Sequence, residues 1–309
     1  MGRDEKAIGG SGDKADFKCG NVALLGEANV GKSSIVNYLV GEKLSIVADH
    51  AGTTRVAVRG VKTTDDYQII FIDTPGMQKR RNELERQMTK QISGAVRSAD
   101  VVLYTLDATD IKPEHIKKIK NYESHDVAVV VAVNKSDKTT MQKLYPVLGS
   151  LNELTYVRAI VPVSAKTGFN MGILEAEIVK LLPVGVAEFA EDDFTDQTVR
   201  NMAAEVIRGA IINRMRAEIP TGIAVKITEW KEADREIDIS ANIIVDRESH
   251  KPMVIGKRGH VLKEAGTVAR TEISKITGKH IRIFTHVYVR EGWRDKGSLI
   301  NEYSIPETK

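Results

Sequence analysis

Five short apolar runs that contain β-branched residues alternate with helical patterns between Lys18 and Pro183. The runs read NVALLG, YQIIFIDT, DVVLYTLDAT, HDVAVVVAVN and RAIVPVSA. A strand that is apolar at nearly every position has both faces buried, and strands of that kind joined by helices build a parallel sheet. The alternation therefore predicts an α/β domain with a mainly parallel sheet.

A change of pattern after Pro183 predicts a second, smaller domain. Breakers and a run of acids indicate a linker, and beyond it the apolar residues follow the order helix, strand, strand, helix, loop, helix, strand. This order predicts a small α+β domain. The predicted division is a flexible tail over 1–18, the α/β domain over 19–183, a linker over 184–196, the α+β domain over 197–300 and a C-terminal tail over 301–309.

The composition says more about the cellular compartment of the protein than about its binding partner. The 309 residues carry a net charge of +3, which is too small to decide a partner by itself. The single cysteine, Cys19, excludes an intramolecular disulfide and favours a reducing cytoplasm; we interpret its thiol as inert. The sequence has no apolar run of about 18 residues that would predict a membrane-spanning helix, and its first residues lack the apolar core of a signal peptide.

The stretch GEANVGKSS, residues 26–34, lies between the first strand and a helix. It matches the phosphate-loop pattern, in which two glycines are followed by a lysine and a serine. Glycines let backbone amides face phosphate oxygens, the lysine adds a cation for the β- and γ-phosphates, and the serine offers an oxygen to Mg²⁺. The predicted nucleotide contacts in this loop are Gly26, Asn29, Val30, Gly31, Lys32, Ser33 and Ser34.

Three further motifs, DTPG, NKSD and SAK, each end a predicted strand. Ligands of open α/β sheets collect at the carboxyl ends of the strands. Asp73 of DTPG can hold Mg²⁺ through a water, and Gly76 can offer its amide to the γ-phosphate. Asp137 of NKSD can accept two hydrogen bonds from guanine, whereas adenine offers no such donor pair, so the predicted base is guanine. The predicted guanine contacts are Asn134, Lys135, Asp137, Ser164, Ala165 and Lys166.

In these motifs and their order the chain resembles the translation-factor-related GTPases. The resemblance implies that HAGTTRVAVRG, residues 50–60, is the first switch, whose threonine binds Mg²⁺ with Ser33 and Asp73 when GTP is present. Thr54 is the predicted ligand and Thr53 the alternative, since spacing does not separate them. The resemblance implies GTP and GDP as ligands, and the predicted catalytic residues are Lys32, Thr54, Gly76 and Asn29.

Met77 follows Gly76 at the position where Ras-like enzymes have the glutamine that orients the attacking water. A thioether cannot orient water, so slow intrinsic hydrolysis is predicted. Asn29 matches the asparagine with which relatives that also have an apolar residue after the glycine coordinate a potassium ion. K⁺ is therefore a candidate ion beside Mg²⁺, and the alternative is an asparagine that only braces the loop.

A second glycine loop, VIGKRG, leads into a helix of the C-terminal domain. Gly256 and Gly259 permit a tight loop that a nucleic-acid backbone can approach, and Lys257 and Arg258 neutralise phosphate. This is the loop pattern of a KH domain, which binds about four nucleotides of single-stranded RNA. Residues 249–296 include eleven basic and four acidic side chains, so positive charge coincides with the loop.

Five other side chains of the C-terminal domain carry open interpretations. Trp293 is as consistent with packing as with base stacking. The histidines lack the spacing of a metal site and are interpreted as surface or RNA-facing residues: His250, His260, His280 and His286.

With both halves placed, the sequence from about Lys18 to Arg294 resembles the Era family of GTPases. The resemblance rests on both motif sets and on the stretches DRESHKPMVIGKRGHVLKEAGTVAR, EGWRD and AEDDFTDQT. It departs at Glu27 and Ala28, where relatives often have Arg and Pro, and at Arg258, where glycine is common. It implies a type II KH domain that binds the 3′ region of small-subunit rRNA in the cytoplasm, with a role in 30S subunit assembly and a monomeric chain.

Two other functions were weighed against this one, and the first of them stays open from the sequence. A peripheral-membrane or protein-binding signalling GTPase would use the same basic face, for example on anionic lipid at the inner face of the cell membrane. Replacing Lys257 and Arg258 separates this alternative from RNA binding. An assembly factor that uses ATP conflicts with Asp137.

Overall fold

A computed structural model describes residues 16–42, 44, 54–77, 82–125, 127–215 and 222–304. The N-terminal sheet has strands β1 (Lys18–Leu25), β2 (Val58–Thr63), β3 (Tyr67–Asp73), β4 (Val101–Asp107), β5 (Ala128–Asn134) and β6 (Val157–Pro162). Its helices are α1 (Lys32–Val40), α2 (Glu83–Arg97), α3 (Pro113–Lys120), α4 (Met141–Asn152) and α5 (Met171–Leu181). The strand order is β2-β3-β1-β4-β5-β6, in which β2 is antiparallel to β3 and the other pairs are parallel. The predicted α/β domain with a mainly parallel sheet is confirmed.

β1 is the strand at which the order reverses, because it lies between β3 and β4. In open α/β sheets the ligand crevice lies outside the carboxyl ends of the strands at such a point. Separate apolar clusters cover the two faces: Leu24 and Val130 belong to one, and Leu25 and Val131 to the other. Strands covered on both faces carry continuous apolar runs, which is why five of these six strands are evident in the sequence.

β2 is a strand that the sequence analysis did not predict. It pairs antiparallel with β3 at the edge of the sheet along its whole length. An edge strand is open on one side, so VRGVKT mixes polar with apolar residues and lacks a continuous apolar run. Residues 58–60 of this strand belong to the segment predicted as the first switch, whose described part begins at Thr54.

The C-terminal domain has the predicted order of elements. Its helices are α6 (Val199–Ile212), α7 (His250–Ile255) and α8 (His260–Thr277), and its strands are β7 (Ile223–Glu232), β8 (Glu236–Val245) and β9 (His280–Val289). β8 pairs antiparallel with β7 and parallel with β9, and α6 and α8 bury their apolar faces against this sheet. A further helix, α9 (Gly297–Ser304), continues past residue 300, where the sequence analysis ends the domain. The predicted α+β domain is confirmed.

Residues 184–196, predicted as a linker, lie along the outer strands of the N-terminal sheet. The side-chain oxygen of Gln68 in β3 accepts from the amides of residues 188–189 at 2.8 and 3.0 Å. The amide of Val61 in β2 donates to the carbonyl of Phe194 at 2.9 Å. The segment therefore remains bonded to the N-terminal domain almost to the start of α6.

The two domains share an apolar cluster around Trp293. This residue starts a short 3-10 turn between β9 and α9, is fully buried, and donates its indole N–H to the carbonyl of Gly222 at 3.2 Å. Leu84 and Met88 of α2 belong to the same cluster. Packing in this cluster therefore links the position of α2 to that of the C-terminal domain. Because the side chain of Trp293 is buried there, its role is packing and not base stacking.

Candidate nucleotide and nucleic-acid sites

Gly26 and Gly31 lie where the loop between β1 and α1 approaches the rest of the domain most closely. Gly26 has a φ of 141° and Gly31 a φ of 97°. A Cβ at Gly26 would lie 2.4 Å from the carbonyl oxygen of Thr105, and a Cβ at Gly31 would lie 2.2 Å from the side-chain nitrogen of Asn134. The loop leads into the first turn of α1, whose N–H groups have no partner inside the helix and attract anions.

Lys32 is almost fully buried beneath this loop. Its Nζ donates to the carbonyls of Gly26 and Glu27 at 3.2 and 2.8 Å. Burial lowers the pKa of Lys32 to about 8, although Asp73 and Glu27 favour the charged form. The backbone thus holds a desolvated ammonium group at the loop, which is the environment in which a cation interacts most strongly with phosphate.

The three predicted magnesium ligands lie close together, with Thr54 and Asp73 on either side of the Ser33 hydroxyl. Ser33 Oγ donates to Asp73 Oδ2 at 2.6 Å and lies 3.1 Å from Thr54 Oγ1. Asp73 is fully buried and Thr54 is nearly so. A compact set of oxygen donors suits Mg²⁺, so these residues fit the ion. Thr53, the alternative ligand, lies outside the described residues.

Gly76 and Met77 lie directly against the phosphate loop. A Cβ at Gly76 would be 2.8 Å from Ala28 Cα, and the amide of Met77 donates to the carbonyl of Gly26 at 3.1 Å. The sulfur of Met77 accepts from the hydroxyl of Tyr104 at 4.0 Å. These contacts place Gly76 beside the phosphate loop; the predicted bond from its amide to the γ-phosphate stays a prediction.

Asn134 joins the phosphate loop to the guanine side of the site. Its side-chain nitrogen donates to the carbonyl of Val30 at 2.9 Å, and its side-chain oxygen accepts from the amide of Ala165 at 3.1 Å. Two of the predicted guanine motifs, NKSD and SAK, therefore meet at one side chain. Ser164 beside Ala165 is fully buried, and its Oγ accepts from the amide of Thr167 at 3.2 Å.

Asp107 is a participant that the sequence analysis missed. Lys135 has a left-handed backbone, with φ of 62°, and its Nζ contacts Asp107 Oδ2 and the carbonyl of Asn29, each at 2.6 Å. Burial alone would raise the pKa of Asp107, but hydrogen bonds from Lys135 and Thr109 outweigh it and lower that pKa. The available signal was positional: Asp107 ends β4, just as Asp73 ends β3 and Asn134 ends β5.

The remaining predicted contacts are accessible to a ligand. Asp137 lies in the 3-10 turn Ser136–Lys138 and is exposed, as is Lys166. Asn29 is exposed with a φ of 64°, and Ser34 follows in the first turn of α1. Their contacts with guanine, phosphate and potassium stay predictions.

The loop between α7 and α8 carries the second predicted site. Gly256 and Gly259 both have φ of 76°, and Arg258 between them has φ of 54°. A Cβ at Gly256 would lie 2.6 Å from the side chain of Val261, so this close turn requires glycine. Lys257 and Arg258 are exposed. Together with His260, Val261 and Lys263 they line an open pocket with a volume of about 520 Å³.

The four histidines of this domain have no common site. His260 and Glu264 lie 3.3 Å apart on the surface of α8, and His280 and His286 are exposed on β9. Burial and nearby Arg247 lower the pKa of His250 despite Asp246. Within the described residues no group of three or more His, Cys, Asp or Glu side chains could hold a metal ion.

Arg55, next to Thr54, reaches from the N-terminal domain to the C-terminal domain. Its guanidinium carbon lies 5.4 Å from the ring centre of Trp293, and its side chain is buried. Burial, with Arg208 and Arg294 nearby, lowers the pKa of Arg55, and Glu205 opposes this effect. The sequence analysis missed this contact, which no local pattern indicates.

Comparison with known proteins finds matches for both domains. A family model described as 50S ribosome-binding GTPase matches residues 21–135, and a KH domain model matches residues 218–294. GTPase Era of Caldanaerobacter subterraneus subsp. tengcongensis is 35% identical over 289 residues, which covers 93% of this chain and 97% of the relative. GTPase Era of Clostridium botulinum strain Kyoto is 35% identical over 302 residues, with coverage of 95% and 100%.

Two solved structures resemble the whole described fold. Era in complex with MgGDPNP and nucleotides 1506–1542 of 16S ribosomal RNA has a TM-score of 0.89 and 38% identity, and the match covers 93% of this chain and 99% of the other. A variant of Aquifex aeolicus Era bound to GDP and AlF4⁻ matches with the same values.

Proposed function

The chain belongs to the Era family of GTPases, and from this premise we propose that it is a GTP-hydrolysing switch for small-subunit assembly. GTP or GDP and Mg²⁺ are its ligands. Through the GKRG loop of its KH domain, the chain would bind the single-stranded 3′ region of small-subunit rRNA. The relative that holds nucleotides 1506–1542 of 16S ribosomal RNA supports this assignment.

Hydrolysis follows from what each residue near the phosphates can do. Lys32 would neutralise charge on the β- and γ-phosphates, and the amides of the loop would orient them for attack by water. Ser33, Thr54 and Asp73 would hold the magnesium ion, which would supply further positive charge near the phosphates. Met77 cannot orient the water, so intrinsic hydrolysis is expected to be slow. Asn29 would add a potassium ion to this set.

The contact between Arg55 and Trp293 carries the proposal that nucleotide state gates RNA binding. Thr54 would bind the magnesium ion when GTP is bound, and a shift of Thr54 would also move its neighbour Arg55, which lies over the ring of Trp293. Leu84 and Met88 of α2 offer a second connection, from the segment after Gly76 to the same tryptophan.

The first experiment compares RNA affinity in two nucleotide states. A single-stranded RNA matching the 3′ end of small-subunit rRNA would be titrated at one salt concentration against the protein loaded with a non-hydrolysable GTP analogue, and again with GDP. We expect binding to be at least roughly five-fold tighter with the analogue, the lower end of common allosteric couplings. Equal affinities would rule out the gating, and no binding in either state would rule out the rRNA role.

A pair of arginine variants tests the connection itself. Arg55→Gln removes the cation over Trp293 and should bring the two affinities closer together. Arg59→Gln is the matched control, because Arg59 lies nearby on β2, is half-exposed and, within the described part of the chain, forms a long ion pair with Asp196 at 3.8 Å. If Arg55→Gln kept the full difference between the nucleotide states, another contact would carry the coupling.

Substitutions in the GKRG loop distinguish RNA binding from the rival function, a membrane- or protein-binding signalling GTPase. Changing both Lys257 and Arg258 to Asp should abolish RNA binding, whereas binding to anionic vesicles would only weaken with the change of charge. None of the described helices is both long and apolar enough to cross a bilayer. We propose the cytoplasm as the compartment and a monomer as the active form, which sedimentation would test.

A further inference from the structure

The outer face of α2 lines a groove that the nucleotide and KH sites do not use. One concavity of about 300 Å³ is lined by Arg86, Thr89, Lys90, Ser93 and Arg97. A second concavity, of about 350 Å³, shares Ser93 and Arg97 with the first and reaches the residues that follow α3. We call the two together the α2–α3 groove.

The charge of this groove is positive and largely unpaired. Among the described residues, no carboxylate pairs with Lys90 or Arg97, and no acidic side chain lines either concavity. Arg86 contacts Glu83 at 3.2 Å, but 64% of its side chain stays exposed. The three cations follow one stripe of the helix, and by helix geometry they extend over about 16 Å. A stripe of that length can contact several phosphates in succession.

The other wall of the groove offers hydrogen bonds and ring faces. It includes Asn121, Tyr122 and His125, and the rings of Tyr122 and His125 lie 5.6 Å apart. Donors beside cations suit phosphate and ribose oxygens, and an aromatic ring beside them suits a base. An acidic peptide would use the cations but not this second wall.

We propose that the α2–α3 groove is a second RNA site, which seats the sugar-phosphate backbone of rRNA next to the segment bound by the KH loop. This inference rests on the proposed function, because the RNA reaches the molecule through the KH domain. One side of α2 packs against the Trp293 cluster while the other would hold RNA, so the helix after Gly76 would contact both.

The test uses two RNAs and the full chain in its GTP-analogue state. The long RNA corresponds to the fragment of nucleotides 1506–1542, and the short RNA contains only about ten single-stranded nucleotides of the 3′ end. The triple variant Arg86→Gln, Lys90→Gln and Arg97→Gln should bind the long RNA at least ten-fold more weakly and lower its salt dependence by about two to three charges. Affinity for the short RNA should be unchanged.

Two further variants complete the experiment. Lys143→Gln, Arg158→Gln and Lys180→Gln together remove three exposed cations elsewhere on the N-terminal domain and should leave both affinities close to the original. Ser93 lines both concavities, so Ser93→Leu fills the groove without changing charge, in a helix that leucine favours, and should weaken binding of the long RNA alone. Circular dichroism would check that each variant is folded.

Each contrary result overturns the groove as an RNA site. Unchanged affinity of the triple variant for the long RNA would point to an acidic protein partner or to none. An equal loss in both triple variants, or no loss with Ser93→Leu, would mean diffuse charge attraction without a bound RNA backbone in the groove. If the unmodified protein failed to bind even the short RNA, the proposed function itself would fail, which is a separate outcome.

Discussion

Gly31 is one of the residues at which the phosphate loop contacts the predicted guanine motifs. A Cβ there would overlap the side-chain nitrogen of Asn134, whose amide is held at both ends by Val30 and Ala165. Asn134 cannot move without losing those bonds. We therefore expect Gly31→Ala to weaken GDP binding at least about ten-fold, or about 1.4 kcal/mol, as measured with a fluorescent GDP.

Gly41→Ala is the control for this substitution. Gly41 ends α1 with a φ of 87°, yet a Cβ there would meet no atom within 4 Å. Both alanines suffer the left-handed backbone, which costs roughly 1–2 kcal/mol of stability. Only Gly31→Ala should lose nucleotide affinity, and equal affinities in the two variants would show that backbone strain, not the contact with Asn134, is responsible.

Cys19 is expected to be inert in the folded protein. It is 7% exposed, and burial raises the pKa of its thiol above the ordinary value. The thiolate that attacks alkylating reagents is therefore scarce at pH 8, and it becomes available only at higher pH or on unfolding. Iodoacetamide should modify Cys19 quickly in denaturant and slowly without it. Equal rates would contradict the buried position.

At the scale of elements, the N-terminus of α2 has a cap that can be tested separately. The side chain of Asn82 accepts from the amide of Glu85 at 2.9 Å. The corresponding Thr140 before α4 makes no such bond. Chemical unfolding should show Asn82→Ala less stable by about 1 kcal/mol and Thr140→Ala nearly unchanged. Similar losses in both would mean that this bond does not hold the start of α2.

The elements themselves were predictable to different degrees. Strands covered on both faces, such as β4 and β5, have continuous apolar runs, and a local pattern is enough to recognise them. The edge strand β2 lacks such a run, because it pairs with another strand on one side only and is less buried than the central strands. Its pairing with β3 depends on the fold, so the sequence analysis assigned residues 58–60 to the first switch without predicting that they also begin a strand.

For the whole molecule, the cluster around Trp293 should make the two domains unfold together. Leu84 and Leu144 are both buried leucines, but Leu84 packs between the domains and Leu144 inside the N-terminal one. Either change to alanine should cost about 2–5 kcal/mol. In calorimetry, Leu84→Ala should split the transition or lower the ratio of van't Hoff to calorimetric enthalpy, and Leu144→Ala should leave that ratio as it was.

The sequence by itself determined the family, the two folds and the chemistry of each site. The phosphate loop, NKSD and GKRG are short stretches in which neighbouring residues act together, so each can be recognised from a few consecutive residues. The predicted GTPase, its nucleotide and magnesium, and its KH domain are confirmed by the comparisons. The individual contacts of these residues with a ligand stay predictions.

Only the tertiary structure decided which distant residues meet. Asp107 pairs with Lys135 because β4 and β5 are parallel neighbours, and Arg55 reaches Trp293 because α2 holds the C-terminal domain beside the first switch. Trp293 could equally have stacked on a base until its burial was known. Such contacts depend on how whole elements pack, and packing energy is summed over many residues that no short pattern contains.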